Sequence, residues 1–99
     1  MKQNIGLNAK IDDNVKLFYP PMNEHSRRIP TKIGNNCVIR SGTVIYCDVD
    51  IGDNFQTGHN VLVRETTFIG DNVRLGTGTI VENKCIIRDN VNIFYYFIV

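Results

Sequence analysis

A hydrophobic pattern that repeats every six residues limits the folds open to this sequence more than any other feature. Every sixth residue from Ile33 to Val99 is aliphatic, and Thr57 is the one exception among the twelve positions. Four residues after each of these comes a second series of small, β-branched or apolar residues, which begins at Cys37 and ends at Phe97. The spacing holds without slippage from Ile33 to the last residue of the chain.

These alternating offsets of four and two residues identify the secondary structure. An amphipathic helix repeats its apolar residues at offsets of three, four and seven, and a simple strand alternates by two. Offsets of four and two instead fit a short strand, a tight corner and another short strand, each with an aliphatic side chain turned inward. This pattern is typical of a parallel β-helix, and we expect an all-β chain with no substantial helix.

A longer period of three hexapeptides indicates a coil with three unlike sides. On the first side, the third residue after the aliphatic position is always asparagine, at Asn36, Asn54, Asn72 and Asn90. The equivalent residues are Gly42, Asn60 and Gly78 on the second side, and Asp48, Thr66 and Lys84 on the third. Because Asn and Gly tolerate positive φ, we expect two corners with left-handed backbone and a third that differs.

The repeat also extends toward the N-terminus. The same offsets are kept by Ile5, Ala9, Ile11, Val15 and Leu17. We expect Ile11 to stack beneath Ile33, which leaves four residues beyond one regular coil in a stretch that contains three prolines. The predicted organisation is one domain, with a coil over 1–17, a proline-containing loop over 18–32 and coils over 33–99. In all we expect about five coils of triangular cross-section.

The segment 94–99 departs from the repeat. Four consecutive aromatic residues follow Ile93, and Tyr96 stands where the second side has Gly or Asn. A tyrosine at positive φ is unfavourable, although Phe97 and Val99 keep the inward phase. We therefore expect a chain truncated at its C-terminus, with an open strand edge and an exposed aromatic surface.

Composition excludes several classes of function. The net charge of +1 gives no reason to expect a nucleic-acid partner. The first residues contain no apolar stretch of signal-peptide length, which favours a cytoplasmic protein. The longest apolar run has seven residues, whereas a membrane-spanning helix needs about 20. Three cysteines without a CxxC pair, and two histidines, do not have the spacing of a zinc site, so we expect no metal.

Several consecutive units carry a recognisable family signature. Ile51-Gly-Asp-Asn-Phe-Gln, Ile69-Gly-Asp-Asn-Val-Arg and Leu75-Gly-Thr-Gly-Thr-Ile resemble the hexapeptide-repeat acyltransferases. The stretches 39–46 and 57–65 are similar to the branch that acetylates sugars. The resemblance implies a left-handed winding, a homotrimer with coenzyme A between neighbouring prisms, and a histidine that acts as base.

His59 is the candidate base. It lies two residues after the inward position of Thr57, so its side chain is expected to point outward, and a neutral imidazole is suited to proton transfer near pH 7. A purely structural histidine that stacks or hydrogen-bonds at a subunit contact is the alternative. The resemblance further implies that acetyl-CoA lies along Gly58, Gly76 and Thr77.

Other polar residues near His59 have weaker functional interpretations. Arg64 and Glu65, both expected to point outward, either bind an acceptor or form an ion pair, and the ion pair is favoured. Asn60 either contacts substrate or serves the left-handed corner, and the corner is favoured. Cys47 is also expected to point outward, without a basic neighbour in sequence to activate it.

Taken together, the residues and the resemblance predict an acetyl-CoA-dependent transferase that acetylates an amine or hydroxyl of a sugar or sugar nucleotide. The alternative is a non-catalytic β-helical scaffold. A β-helical carbonic anhydrase needs three zinc-binding histidines, and this chain has only His25 and His59. Ice binding requires outward rows of threonine, whereas Thr43, Thr57, Thr67 and Thr79 fall on inward positions.

Overall fold

The computed structural model describes residues 4–23, 25 and 27–99, and these form a parallel β-solenoid. Its strands are short because the chain turns a corner every six residues. They are β1 (Lys10–Ile11), β2 (Lys16–Tyr19), β3 (Lys32–Ile33), β4 (Val38–Ile39), β5 (Val44–Tyr46), β6 (Val49–Ile51), β7 (Gln56–Thr57), β8 (Leu62–Val63), β9 (Thr67–Ile69), β10 (Arg74–Leu75), β11 (Ile80–Val81), β12 (Ile86–Ile87) and β13 (Asn92–Ile93). The described residues contain no α-helix, as the six-residue period predicts.

The strands stack into three parallel sheets, one on each side of the coil. Sheet 1 has the order β1-β4-β7-β10-β13, sheet 2 the order β2-β5-β8-β11, and sheet 3 the order β3-β6-β9-β12. In sheet 3, Ile33, Ile51, Ile69 and Ile87 are vertical neighbours. Three regular turns therefore separate Ile33 from Ile87, each made of three hexapeptides, which confirms the period that the sequence predicts.

Both inward series form the core. The first series is buried from Ile33 to Ile87 and the second from Cys37 to Thr79. Thr57, the one polar member of the first series, accepts a hydrogen bond from the Arg40 amide at 3.0 Å. Each buried aliphatic side chain contributes roughly 1.5–3 kcal/mol, so the aliphatic ladders supply most of the stabilisation.

The first turn is longer than the sequence analysis predicted. Ile5 bridges to Ile33 and Ile11 pairs with Ile39, so Ile11 does not stack beneath Ile33. Asn8 hydrogen-bonds to Asn36 and begins the asparagine column. The sequence separation across this turn is 28, against 18 in a regular turn, so the excess is ten residues rather than four. The prediction was wrong because the prolines identify a loop without fixing the register of the strands on either side of it.

All three corners have left-handed backbone. We call residues 34–36, 52–54, 70–72 and 88–90 corner one, residues 40–42, 58–60 and 76–78 corner two, and residues 46–48, 64–66 and 82–84 corner three. Positive φ occurs in corner three at Asp48 (59°), Thr66 (61°) and Lys84 (60°). The expectation of a different third corner was therefore wrong, because stacking on the neighbouring coils imposes the same bend on each of them.

Residues 94–99 depart from the regular coil. Tyr96 is not among the residues with positive φ, and its ring lies against Gly78 of the coil below. Phe97 and Val99 are 57% and 38% exposed, although their phase in the repeat is inward. They are exposed because no described strand covers this end of the solenoid. The described residues also contain no helix of the length and apolarity that a membrane span requires.

Candidate functional site

Corner two brings the candidate base together with two polar residues from the adjacent coils. Ser41, His59 and Thr77 occupy the same corner position in successive turns. The hydroxyl oxygen of Ser41 lies 2.9 Å from Nδ1 of His59. On the other side, the backbone amide of His59 donates to Oγ1 of Thr77 at 3.1 Å. Ser41 therefore holds the imidazole of His59, and Thr77 holds its backbone.

One ring nitrogen of the half-buried His59 imidazole is free to accept a proton within the described chain. Within the described chain Nε2 makes no hydrogen bond, whereas Nδ1 is occupied by Ser41. If Nδ1 carries the proton and donates to the Ser41 hydroxyl, Nε2 holds the lone pair that a general base requires. We assign the tautomer with hydrogen on Nδ1 from this requirement, because in the bond between Ser41 and His59 either group can be the donor.

Asp12 from the first turn connects to the same corner. Its Oδ2 accepts a hydrogen bond from Nε of Arg40 at 2.8 Å and another from the Ser41 amide at 3.1 Å. The Arg40 hydrogen bond lowers the pKa of Asp12 below its ordinary value, and the Ser41 amide acts in the same direction. Asp12 therefore holds the backbone of Ser41 beneath the imidazole.

The predicted cofactor-binding residues also lie in corner two. Thr77 is exposed and adjoins His59, while Gly58 and Gly76 are buried between coils. A Cβ on Gly58 would stand 2.6 Å from the Thr77 amide nitrogen, and one on Gly76 would meet the Phe94 carbonyl. Close stacking of the coils therefore requires both glycines. Because both glycines are buried, Thr77 is the one predicted cofactor-binding residue that is exposed beside His59.

Arg64 and Glu65 lie in corner three, apart from His59. The Arg64 guanidinium donates to both carboxylate oxygens of Glu65, from Nε at 3.0 Å and from Nη2 at 3.3 Å. Its Nη1 lies 3.6 Å from Glu82, and the guanidinium carbon is 5.2 Å from the centroid of the Tyr46 ring. The favoured ion pair is thus present, and pairing with Glu65 raises the pKa of Arg64.

Two expectations of outward side chains were wrong in corner three. Glu65 is only 4% exposed because the guanidinium of Arg64 covers its carboxylate. Cys47, one turn earlier, is 7% exposed, and its thiol donates to the Phe18 carbonyl at 3.1 Å. Burial raises the pKa of the Cys47 thiol, which opposes a nucleophilic role.

Asn60 has the structural role that the sequence analysis favoured. Its φ is 58°, and its amide donates to the Ser41 carbonyl of the coil below at 3.1 Å. The side chain is exposed and lies directly over Gly42.

Three members of the corner-two cluster were missed by the sequence analysis: Asp12, Arg40 and Ser41. Ser41 could have been predicted as a neighbour of His59, since it precedes His59 by one regular turn. Asp12 was not, because the wrong register of the first turn places it beneath Gly34 instead of Arg40. Only the true length of the first turn reveals the connection to His59.

A groove of about 470 Å³ lies on another face of the molecule. Its floor is the outer surface of sheet 3, where Phe68 and Ile86 are 47% and 66% exposed, and the segment 27–30 forms one wall. Arg27 fastens that wall by donating to both carboxylate oxygens of Asp48, at 3.2 and 2.7 Å.

Nowhere in the described chain do three His, Cys, Asp or Glu side chains gather closely enough to hold a metal ion.

Comparison with protein families agrees with the repeat. Residues 30–65 match the family model described as bacterial transferase hexapeptide (six repeats). The matched segment is 36 of the 99 residues of the chain. The matched hexapeptide repeats include Ser41 and His59 of corner two as well as Arg64 and Glu65 of corner three. A search of curated proteins found no match.

Proposed function

We propose that this hexapeptide-repeat chain is an acyltransferase that moves an acetyl group from acetyl-CoA to an amine or hydroxyl of a sugar or sugar nucleotide. The observation that carries the proposal is the fixed imidazole of His59, held at Nδ1 by Ser41 at 2.9 Å, with Nε2 making no hydrogen bond in the described chain. The match to a transferase repeat family supports the reaction class.

The proposed chemistry needs few groups. Acetyl-CoA supplies the activated acyl group as a thioester. Nε2 of His59 removes the proton from the acceptor as the acceptor attacks the thioester carbonyl, while Nδ1–H is held by the Ser41 hydroxyl. The C–S bond then breaks, and the protonated Nε2 returns the proton to the sulfur, so that CoA leaves as a free thiol. Asp12 and Arg40 act through Ser41 and are positioning residues. The amides of Gly58, His59, Asn60, Gly76 and Gly78 donate to neighbouring coils, so within the described part of corner two the Thr77 amide is the donor left for the tetrahedral oxyanion.

The proposal includes a homotrimer, since a flat-sided prism forms a cleft only when another prism lies beside it. The groove on sheet 3, with its exposed Phe68 and Ile86, supports lateral packing of this kind. In such an assembly a neighbouring prism would complete the site around His59. The proposed geometry is left-handed, with about five coils when the long first turn and residues 94–99 are each counted as one.

The proposed location is the cytoplasm. All three cysteines are free thiols, which supports a reducing compartment.

The primary test is turnover of acetyl-CoA, measured as release of free thiol, with a panel of amino sugars and sugar nucleotides as acceptors. His59→Ala should reduce kcat by about 10²–10⁴-fold, the usual contribution of a general base. His25→Ala is the matched control, because His25 is exposed in the loop and should leave kcat unchanged. Full activity in His59→Ala would refute the catalytic role.

The positioning role of Ser41 has a separate signature. Ser41→Ala should lower kcat by about tenfold with KM nearly unchanged, because only the orientation of the imidazole is lost. Ser41→Thr, which keeps the hydroxyl, should restore most of kcat. A loss in Ser41→Ala that Ser41→Thr does not restore would indicate a purely structural effect.

The alternative function is a non-catalytic scaffold. It is favoured by the two bonds of His59 to Ser41 and Thr77, which by themselves account for a structural corner residue. Calorimetric titration with CoA discriminates the two functions. Absence of binding at millimolar CoA by a folded assembly would favour the scaffold.

A further inference from the structure

The contact between Ser41 and His59 differs from the bonds that hold equivalent corner positions elsewhere in the solenoid. In corner one, a side-chain oxygen accepts the backbone amide of the coil below, as Asp53 does for the Asn35 amide at 2.8 Å. Thr77 does the same for the His59 amide at 3.1 Å. At His59 the pattern changes, because Nδ1 contacts the Ser41 hydroxyl rather than the Ser41 amide. The coil therefore pairs a hydroxyl with an imidazole where its neighbours use a backbone bond.

Asp12 accounts for this difference. Its Oδ2 accepts the Ser41 amide at 3.1 Å, so that this amide does not donate to the coil above. The same oxygen accepts a hydrogen bond from Nε of Arg40 at 2.8 Å. With its amide already bonded, Ser41 meets His59 through its hydroxyl alone, at 2.9 Å. A hydroxyl at this distance from an imidazole is the arrangement of an activated nucleophile and its base.

The pair lies where a small substrate can reach it. Ser41 and His59 are half-buried, and the adjacent Arg40, Asn60 and Thr77 are exposed. The Arg40 guanidinium uses Nε for Asp12, and neither Nη atom makes a hydrogen bond with a described residue. A guanidinium that directly precedes the hydroxyl in sequence is a donor for the oxyanion that forms when the hydroxyl attacks a carbonyl.

We propose that Ser41 is a nucleophile activated by His59, and that the pair hydrolyses acyl thioesters and activated esters through an acyl-serine intermediate. The activity uses the same imidazole as the proposed transfer, but it needs neither a sugar acceptor nor a neighbouring prism. It requires the other tautomer, with hydrogen on Nε2, so that Nδ1 accepts the hydroxyl proton. Because either group can be the donor in this bond, the geometry permits both reactions.

The hydrolysis takes two steps. In the first, the Ser41 oxygen attacks the acyl carbonyl carbon while its proton moves to Nδ1 of His59. The bond to the leaving sulfur or oxygen breaks, and the leaving group takes that proton, which leaves acyl-Ser41. In the second, water attacks acyl-Ser41 and gives a proton to Nδ1. The ester bond then breaks, the proton returns to the Ser41 oxygen, and the carboxylic acid is released.

The second step should be slow enough for the intermediate to accumulate. No carboxylate of the described chain binds Nε2 of His59, whereas the histidine of a catalytic triad is oriented by one. With p-nitrophenyl acetate, acylation should be faster than hydrolysis, because p-nitrophenolate is a better leaving group than the serine oxygen.

The test is the position of the acetyl group after the full chain reacts with p-nitrophenyl acetate and no acceptor, followed by acid quenching and peptide mass mapping. We expect one acetyl group on Ser41, and a burst of p-nitrophenol before slower steady release. Ser41→Ala should lose both, and His59→Ala should slow acetylation of Ser41 by about 10²–10⁴-fold. The sequence contains one other serine, so Ser26→Ala is the matched control and should keep both signals.

Several outcomes would overturn the proposal. A burst that persists in Ser41→Ala would do so, as would acetyl groups on lysine, cysteine or His59 with none on Ser41. Ser41→Cys covers the case in which Ser41→Ala does not fold. Its thiol should be acetylated faster than the three native cysteines, and an unmodified residue 41 in this variant would contradict the activation by His59.

The result is separable from the proposed transfer. Acetylated Ser41 in a chain that turns over no sugar acceptor would support the hydrolytic pair and count against the transferase. Turnover of a sugar acceptor by a chain in which acetyl-CoA and p-nitrophenyl acetate leave Ser41 unmodified would overturn this inference and leave the proposed function intact.

Discussion

Corner one and corner three make the same bend from different residues. Corner one uses asparagine at φ between 58° and 64°, whereas corner three uses Asp48, Thr66 and Lys84 at 59° to 61°. In both corners the amide at the bend donates to the coil below, at 2.8 Å from Asn54 to Asn35 and at 2.7 Å from Thr66 to Asp48. The stacked coils therefore dictate the dihedral angle, and the residue type sets how much strain it carries.

The two corners also differ in what stabilises them from outside. In corner one, carboxylates repeat the same bond in each turn, as when the Asp53 amide donates to Oδ1 of Asp71 at 2.7 Å. In corner three, Asp48 is instead held by Arg27 of the loop and by the Thr66 hydroxyl. Corner one is a repeating ladder, and corner three is where the inserted loop attaches.

The largest expected difference concerns the tight approach of coils in corner one. Gly52→Ala places a Cβ 2.9 Å from the Gly70 carbonyl carbon and 3.0 Å from the Asp71 amide nitrogen. We expect a loss of about 3 kcal/mol in the free energy of unfolding, measured by urea denaturation. Glu82→Ala, at the equivalent position of corner three, should change it by less than about 0.5 kcal/mol. Equal effects would show that the corners are packed alike.

The ion pair in corner three should produce the next largest effect. Arg64→Ala leaves the carboxylate of Glu65, with a side chain only 5% exposed, without its partner. We expect a loss of about 2 kcal/mol in the free energy of unfolding. Arg88, the equivalent residue of corner one, is exposed, so Arg88→Ala is the matched control and should cost less than about 0.5 kcal/mol. An unchanged free energy of unfolding in Arg64→Ala would mean that water already solvates Glu65.

An exchange of residues tests the claim about strain. Lys84→Asn should stabilise the chain by about 0.5–1 kcal/mol, because asparagine adopts positive φ at lower cost than lysine. Asn72→Lys should cost more than that gain, since it also breaks the side-chain bonds to Asn54 at 2.8 Å and to Asn90 at 3.2 Å. Denaturation of the two variants measures both changes. Loss of stability in Lys84→Asn would contradict the account.

These corners also show how far the sequence could lead. The backbone of corner one was predictable, because asparagine is a residue type that tolerates positive φ. This corner has asparagine in every regular turn, at Asn36, Asn54, Asn72 and Asn90. Corner three was not, because Thr66 and Lys84 have no such preference and only the closure of the coil requires it. The inward ladders and the position of His59 followed from the period of six. The contact of Asp12 with Ser41 did not, because it depends on the length of the inserted loop.

The smallest expected effect concerns corner two, where a charged pair again links an early segment to the coil. Arg40 holds the pKa of Asp12 below its ordinary value of 3.8. A carboxyl with a lowered pKa stabilises the fold at neutral pH, and this contribution is lost as the pH falls below 3.8. Asp12→Asn should therefore reduce the free energy of unfolding at pH 7. It should also weaken the loss of stability that the unmodified chain shows below pH 3.8, whereas Asp13→Asn should do neither. Identical pH profiles for Asp12→Asn and the unmodified chain would contradict this role.

The central claim is that one turn of the solenoid takes three hexapeptides, so that side chains one turn apart touch along the axis. Nuclear Overhauser effects between isoleucine δ-methyl groups test it most directly. The account predicts strong cross-peaks from Ile69 to Ile51 and to Ile87, its neighbours in sheet 3. Cross-peaks linking Ile69 to residues at another spacing, with none to Ile51 or Ile87, would contradict the fold and the site built on it.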